Sequence, residues 1–173
     1  GPMPHLVVSP LARLADVALL HGPRDMITLI NAGTPVVRPD CIHAERHLFL
    51  GFNDIIEAQA GLTPPSEEHV VQFVSFARSW NRAAPLLIHC FAGISRSTAA
   101  AYIIALALEP DQSEVQLARE LRRRAPSATP NIRLITVADG ILNRNGRMID
   151  AIRGIGRGED AFEGTPFVLP IRT

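Results

Sequence analysis

One stretch constrains this chain more than any other: PLLIHCFAGISRSTAAAYIIALAL, residues 85–108. Pro85 opens a short apolar run that ends at Cys90, the five residues FAGIS follow, and Arg96 and Ser97 lead into an alanine-rich apolar segment. A short apolar run behind a proline reads as a buried strand. The segment from Thr98 to Leu108 is far below the roughly twenty residues that a bilayer span needs, so it reads as a buried helix. A strand that passes straight into a helix forces the intervening loop to curl at the carboxyl edge of a sheet, where ligands bind in open α/β folds.

The rest of the chain supplies that sheet. HLVVS, MITLIN and RHLFLGF read as further strands, the last ending at Asn53 and Asp54. Ser9 and Pro10 read as a helix start for LARLADVALL, closed by Gly22 and Pro23. SEEHVVQFVSFARSW has a serine cap, two acids in its first turn, and Val70, Phe73, Val74 and Ala77 at helical spacing. Ser113 opens another helix with Gln116 as its capping-box partner, running to the arginines 122 to 124, and Asn131 caps IRLITVADGILNRN, which Gly146 ends. Strands alternating with helices predict a single α/β domain: a central, mostly parallel sheet flanked by helices on both faces, with an anion-binding loop between a strand and a helix. The domain is expected over residues 4–153. Residues 154–173 are expected as a C-terminal tail that drapes over the body or frays, and residues 1–2 read as an expression scar before Met3.

Charge narrows the function classes. Seventeen basic residues balance seventeen acidic ones, so no global positive field gathers nucleic acid or holds an anionic membrane, and any anion must be captured locally. All the basic residues are arginine, which reads as a coding bias. Cys41 and Cys90 form neither a disulfide framework nor a Cys-x-x-Cys knuckle, which points to a cytoplasmic, reducing setting. The expectation is a monomer with no cofactor, no metal, no membrane span and no nucleic-acid partner.

The chemistry concentrates in the loop. A thiol attacks well only as its thiolate, which a helix N-terminus and a nearby cation both favour. The backbone N–H groups of Phe91, Ala92, Gly93, Ile94 and Ser95 can curl into a nest for an anion, and Gly93 permits the φ that such a curl demands. Arg96 adds a planar fork that fits two oxygens of a phosphate, and the helix from Ser97 adds its positive end. Taken singly, Cys90 reads as a core residue and Arg96 as a surface one. Their spacing, Cys-x-x-Gly-x-x-Arg-Ser at a strand-to-helix junction, makes that coincidence improbable. Asp54, at the end of LFLGF, reads on its own either as a general acid or as the capping residue of IIEAQA.

HCFAGISRS resembles the His-Cys-x-x-Gly-x-x-Arg-Ser/Thr signature of the cysteine-dependent protein tyrosine phosphatase superfamily, and AGISRS is most similar to the dual-specificity branch. Weaker similarity extends over about residues 45 to 140. The resemblance implies that Cys90 attacks phosphorus and that Arg96 and the loop amides stabilise the equatorial oxygens. It implies that His89 orients and helps acidify the cysteine, and that Ser97 helps the thiolate leave. It also favours Asp54 as the general acid, since the family places an aspartate loop ahead of the signature strand. The expected substrate is a phosphorylated protein or a small phosphomonoester, with phosphate, sulfate or vanadate as ligands of the loop.

Two other classes fit the same scaffold. A phosphoinositide or inositol-phosphate phosphatase tends to carry basic residues inside the loop, whereas Phe91, Ala92, Ile94 and Ser95 are neutral. A silent phosphoprotein-binding module is expected to lose the cysteine, the arginine or the acid, and all three are present. A sulfur transferase of the rhodanese type fits the Gly-x-x-Arg-Ser ending poorly. Cys41, His43 and His47 lie close together but lack a fourth ligand and read as polar loop residues. The arginines 122 to 124 read as a solvated helix end, Asn131 as an N-cap and no more, and Tyr102 as core.

Overall fold

The computed structural model describes residues 3–173, so the scar reading of residues 1–2 lies outside the described residues. Five strands form one sheet in the order β3-β2-β4-β1-β5. β1 is His5–Pro10, β2 Asp25–Ile30, β3 His47–Gly51, β4 Leu86–Cys90 and β5 Phe167–Pro170. β1 to β4 are mutually parallel where they pair, and β5 runs antiparallel to β1. The helices are α1 Leu14–His21, α2 Glu67–Ser79, α3 Arg96–Leu108, α4 Glu114–Arg124, α5 Ile132–Ile141 and α6 Arg147–Gly154. The chain is therefore the mostly parallel, helix-flanked α/β domain that the strand and helix alternation predicts.

The two faces of the sheet are unequal. Alternate residues of each strand point to opposite faces, so Leu6, Val8, Ile27, Leu29, Leu86 and Ile88 join the large core under α2 to α6. Val7, Met26 and Leu87 face a smaller cluster with Leu14 and Val17 of α1. α3 lies at the centre of the large core, and eleven of its thirteen residues are buried. Ala99, Ala100 and Ala101 let it pack close, while Ile103, Ile104 and Leu106 each contribute about 1.5–3 kcal/mol of burial. The helix that carries Arg96 and Ser97 is thus anchored along almost its whole length.

Three local readings change. Ser9 and Pro10 do not start a helix: they continue β1, opposite His89 and Cys90 of β4, and a short 3-10 turn over Leu11–Arg13 precedes α1. Sheet pairing to the signature strand wins over the capping preference of serine. The segment after Asn131 is two helices. Asn143, Asn145 and Gly146 adopt positive φ, the chain turns, and Gly146 becomes the N-cap of α6 rather than the end of α5. Asp139 of α5 secures the turn, its two carboxylate oxygens accepting from the N–H groups of Gly146 and Met148. Asp54 opens no helix, because residues 55–60 form bends and a turn. The segment after residue 154 supplies β5, whose pairing with β1 brings the preceding residues back across the signature loop.

Candidate active site

β4 delivers Cys90 to the carboxyl edge of the sheet, with its residue 2% exposed. From there the loop to Arg96 turns on Gly93, at φ 70°. A Cβ at Gly93 would stand 2.7 Å from the backbone nitrogen of Pro10, so both the torsion and the close approach of β1 require glycine there.

What gives the loop its polarity is where its carbonyls go. Those of Phe91, Ala92, Ile94 and Ser95 accept from the N–H groups of Leu11, Gly164, Thr129 and Asn131, at 3.0, 2.8, 2.9 and 3.2 Å. The Cys90 carbonyl accepts from the His89 ring at 3.3 Å. In a trans peptide the next N–H points opposite to the carbonyl, so outward carbonyls turn the amides of residues 91–93, 95 and 96 towards the loop's centre. Gly93 N–H donates to Cys90 Sγ at 3.3 Å. Ser97 Oγ lies 3.1 Å from the same sulfur. Donors converging on one sulfur suit a negatively charged thiolate, and the same nest suits an oxyanion beside it.

Arg96 is 6% exposed. Its Nη1 donates to Asn31 Oδ1 at 2.8 Å and to the Phe52 carbonyl at 2.7 Å. Its Nε is the single buried side-chain nitrogen or oxygen without a partner among the described residues. An unpaired buried guanidinium N–H is costly, and an anion in the loop would satisfy it.

His89 is fully buried and its ring nitrogen Nε2 is 2.7 Å from Thr28 Oγ1, which in turn is 2.7 Å from His47 Nε2. With Nδ1–H donating to the Cys90 carbonyl, Nε2 must accept, so Thr28 donates to His89 and accepts from His47. Burial first, opposed by the bond to Cys90 and aided by His47 and Arg96, lowers the His89 pKa from 6.5 to about 4. The ring is therefore neutral at physiological pH. It orients the loop through the Cys90 carbonyl and lends no positive charge to the sulfur, so any help it gives in acidifying the cysteine is not that of a cation. In the unfolded chain the ring titrates near 6.5, so between pH 6.5 and 4 the unfolded state binds more protons. Its contribution to stability is full above pH 6.5 and is lost as pH falls to about 4, amounting to about 3 kcal/mol at most. Denaturant midpoints measured from pH 7 downward should fall more steeply through this window in the native protein than in a His89→Gln variant. Parallel slopes would contradict a neutral buried His89.

Asp54 meets the loop at Ser95. Its Oδ1 accepts from Ser95 Oγ at 2.7 Å and from Asn131 Nδ2 at 2.8 Å. Asn131 caps α5 through its Oδ1, accepting from Leu134 N–H at 3.0 Å, and so joins that helix to the Asp54 loop. With Oδ1 holding two donors, Oδ2 is the oxygen left to exchange a proton. A cleft of about 270 Å³ opens beside Asp54, Ile94 and Ser95, and its far wall is residues 157–161. Gly158 and Gly164 press this strap onto the body: a Cβ on either would stand 2.6 Å or less from a backbone atom of Ser127 or Gly93. A larger apolar groove, about 790 Å³, lies between α1 and residues 35–41 and contains no residue of the signature.

The structure thus brings together His89, Cys90, the loop residues 91–95, Arg96, Ser97 and Asp54. Ser95 contacts Asp54 with its hydroxyl as well as lining the nest with its backbone. His47 turns to Thr28, and Cys41 is exposed on the other groove. Sequence reasoning passed over Thr28, in β2, and Asn31, just after it, although the carboxyl end of that strand lies at the binding edge, and it read only the cap in Asn131.

Residues 59–132 match the family model for protein-tyrosine phosphatase, a span that includes the whole signature loop and Asn131 and begins after Asp54. Among solved structures, human DUSP28 is similar with a TM-score of 0.63 at 13% identity, over 81% of this chain and 92% of that one. DUSP15 is similar with a TM-score of 0.63 at 18% identity, covering 88% and 91%. A mouse putative dual specificity phosphatase gives 0.61 at 15% identity, covering 90% and 93%. No curated protein sequence matches the chain.

Proposed function

We propose that this chain, which belongs to the cysteine-dependent protein tyrosine phosphatase superfamily, hydrolyses phosphate monoesters through a cysteinyl-phosphate intermediate. The observation that carries the proposal is the buried, unpartnered Nε of Arg96, the residue that closes a loop whose Gly93 amide already donates to the Cys90 sulfur. In the first step the thiolate attacks phosphorus in line, the S–P bond forms and the P–O ester bond breaks. Asp54 Oδ2 gives its proton to the departing oxygen. In the second step water attacks phosphorus, Asp54 takes a proton from it, and the S–P bond breaks with Ser97 Oγ donating to the departing sulfur. Arg96 and the loop amides hold the equatorial oxygens throughout, where charge spreads in a loose transition state.

The dual-specificity branch is the reading that AGISRS and the fold neighbours support, with a phosphoprotein or small phosphomonoester as substrate. The neutral side chains of the loop disfavour a polyphosphorylated inositol. Two free cysteines, Cys41 and Cys90, support a reducing, cytoplasmic setting, and no helix among the described residues is long and apolar enough to cross a membrane. The test is hydrolysis of para-nitrophenyl phosphate with a metal chelator present. Turnover that persists with chelator and is blocked by vanadate is expected. Dependence on a divalent metal would remove the cysteinyl-phosphate route.

A further inference from the structure

We propose that Asn31 is a positioning residue that sets which edge of the Arg96 guanidinium faces the phosphoryl group. The inference rests on the reading of this site as a phosphohydrolase centre. A guanidinium has two hydrogens on each Nη and one on Nε, and its side-on fork pairs Nε with Nη2. In this chain Nη1 donates to two acceptors, Asn31 Oδ1 at 2.8 Å and the Phe52 carbonyl at 2.7 Å. Both its hydrogens are therefore engaged. What remains for a ligand is the side-on edge, and the unpartnered Nε lies on that edge.

The two acceptors differ in kind. The Phe52 carbonyl belongs to the backbone just after β3, and Phe52 is fully buried, so its place is fixed by the fold. Asn31 follows the last residue of β2 and is exposed, so its side chain is present without filling core. It is also uncharged. A carboxylate at the same place would align Arg96 equally well and neutralise it, and a neutral amide oxygen aligns the cation while leaving its full charge for the phosphoryl oxygens. β2 and the residue after it thus brace both ends of the signature: Thr28 meets His89 before the cysteine, and Asn31 meets Arg96 after the loop.

The experiment measures inorganic phosphate binding by titration calorimetry, together with kcat and KM for para-nitrophenyl phosphate and melting temperature, in the native protein, Asn31→Ala, Arg96→Lys and the double variant. Losing a hydrogen bond to a charged group at a ligand-facing fork should weaken phosphate binding by about ten- to hundredfold in Asn31→Ala, with the melting temperature nearly unchanged. In the Arg96→Lys background, where no fork exists to align, Asn31→Ala should add nothing. Unchanged phosphate affinity in Asn31→Ala overturns the proposal, whatever its melting temperature. So does a full additional loss in the Arg96→Lys background, because Asn31 would then act independently of the guanidinium. Phosphate binding needs no turnover, so a native protein that binds phosphate and does not hydrolyse the ester would count against the catalytic reading alone.

Discussion

Replacing Cys90 with serine is expected to remove metal-free hydrolysis of para-nitrophenyl phosphate, by at least about four orders of magnitude, while inorganic phosphate still binds. The two halves of this outcome follow from different parts of the site. Binding depends on the inward amides of the loop and on Arg96, whose positions are set by carbonyl contacts to Leu11, Gly164, Thr129 and Asn131 and by Asn31 and Phe52. None of those contacts involves the sulfur. Attack does depend on it: a serine hydroxyl holds its proton far more tightly than a thiol, and the neutral His89 ring has both nitrogens engaged, Nδ1 with the Cys90 carbonyl and Nε2 with Thr28. His89 is therefore not placed to activate a serine. Steady-state rates of the variant with chelator present, alongside phosphate titration, check both halves. Substantial turnover by Cys90→Ser would remove cysteine as the nucleophile, and loss of phosphate binding would mean that the sulfur shapes the nest.

How much of this was legible in the residues depends on the range of each interaction. Cys90, Gly93, Arg96 and Ser97 lie within eight positions of one another, so the strand, the tight curl and the helix that join them are local, and spacing alone brings them to one place. The same holds for Ser66 and Ser113, whose side chains accept from His69 and Gln116 three residues on. Ser9 and Pro10 misled because their partner is β4, about eighty residues away in sequence. β5 likewise exists because its hydrogen bonds are made to β1 at the opposite end of the chain. Asn131 shows the limit within a single residue. Its oxygen makes a contact three positions away that a sequence displays, and its nitrogen makes one with Asp54 that only the fold creates. Asn31 and Thr28 belong to the same class, since β2 has no sequence neighbour in the signature.

For Asp54, the residue most dependent on such long-range contacts, the expected result turns on the leaving group. Asp54→Ala should lower kcat by about two to four orders of magnitude when the departing oxygen must be protonated. A tyrosine phenol, with a pKa of about 10, falls in that class, and a serine alkoxide needs the proton more. Nitrophenolate is the better leaving group and should show the smaller loss. Asp54→Asn separates the proton from the scaffold: its amide oxygen can still accept from Ser95 Oγ and Asn131 Nδ2, but it has no acidic proton to give. If Asp54 acts as the acid, the asparagine variant should be as slow as the alanine variant on a phosphotyrosine peptide. Should Asp54 serve only to hold the loop, asparagine would restore most of the rate. The Asn131 contact adds an internal check. Asn131→Ala should slow the native enzyme on the same peptide, because Oδ1 loses a donor and the carboxyl group its alignment. In the Asp54→Asn background it should change little, because no proton remains to be aimed. Rates for a phosphotyrosine peptide and for para-nitrophenyl phosphate across these five proteins, the native enzyme, three single variants and the double variant, decide between an acid and a brace. Equal losses on both substrates would assign Asp54 to the brace, since only proton transfer distinguishes a phenol from a nitrophenol.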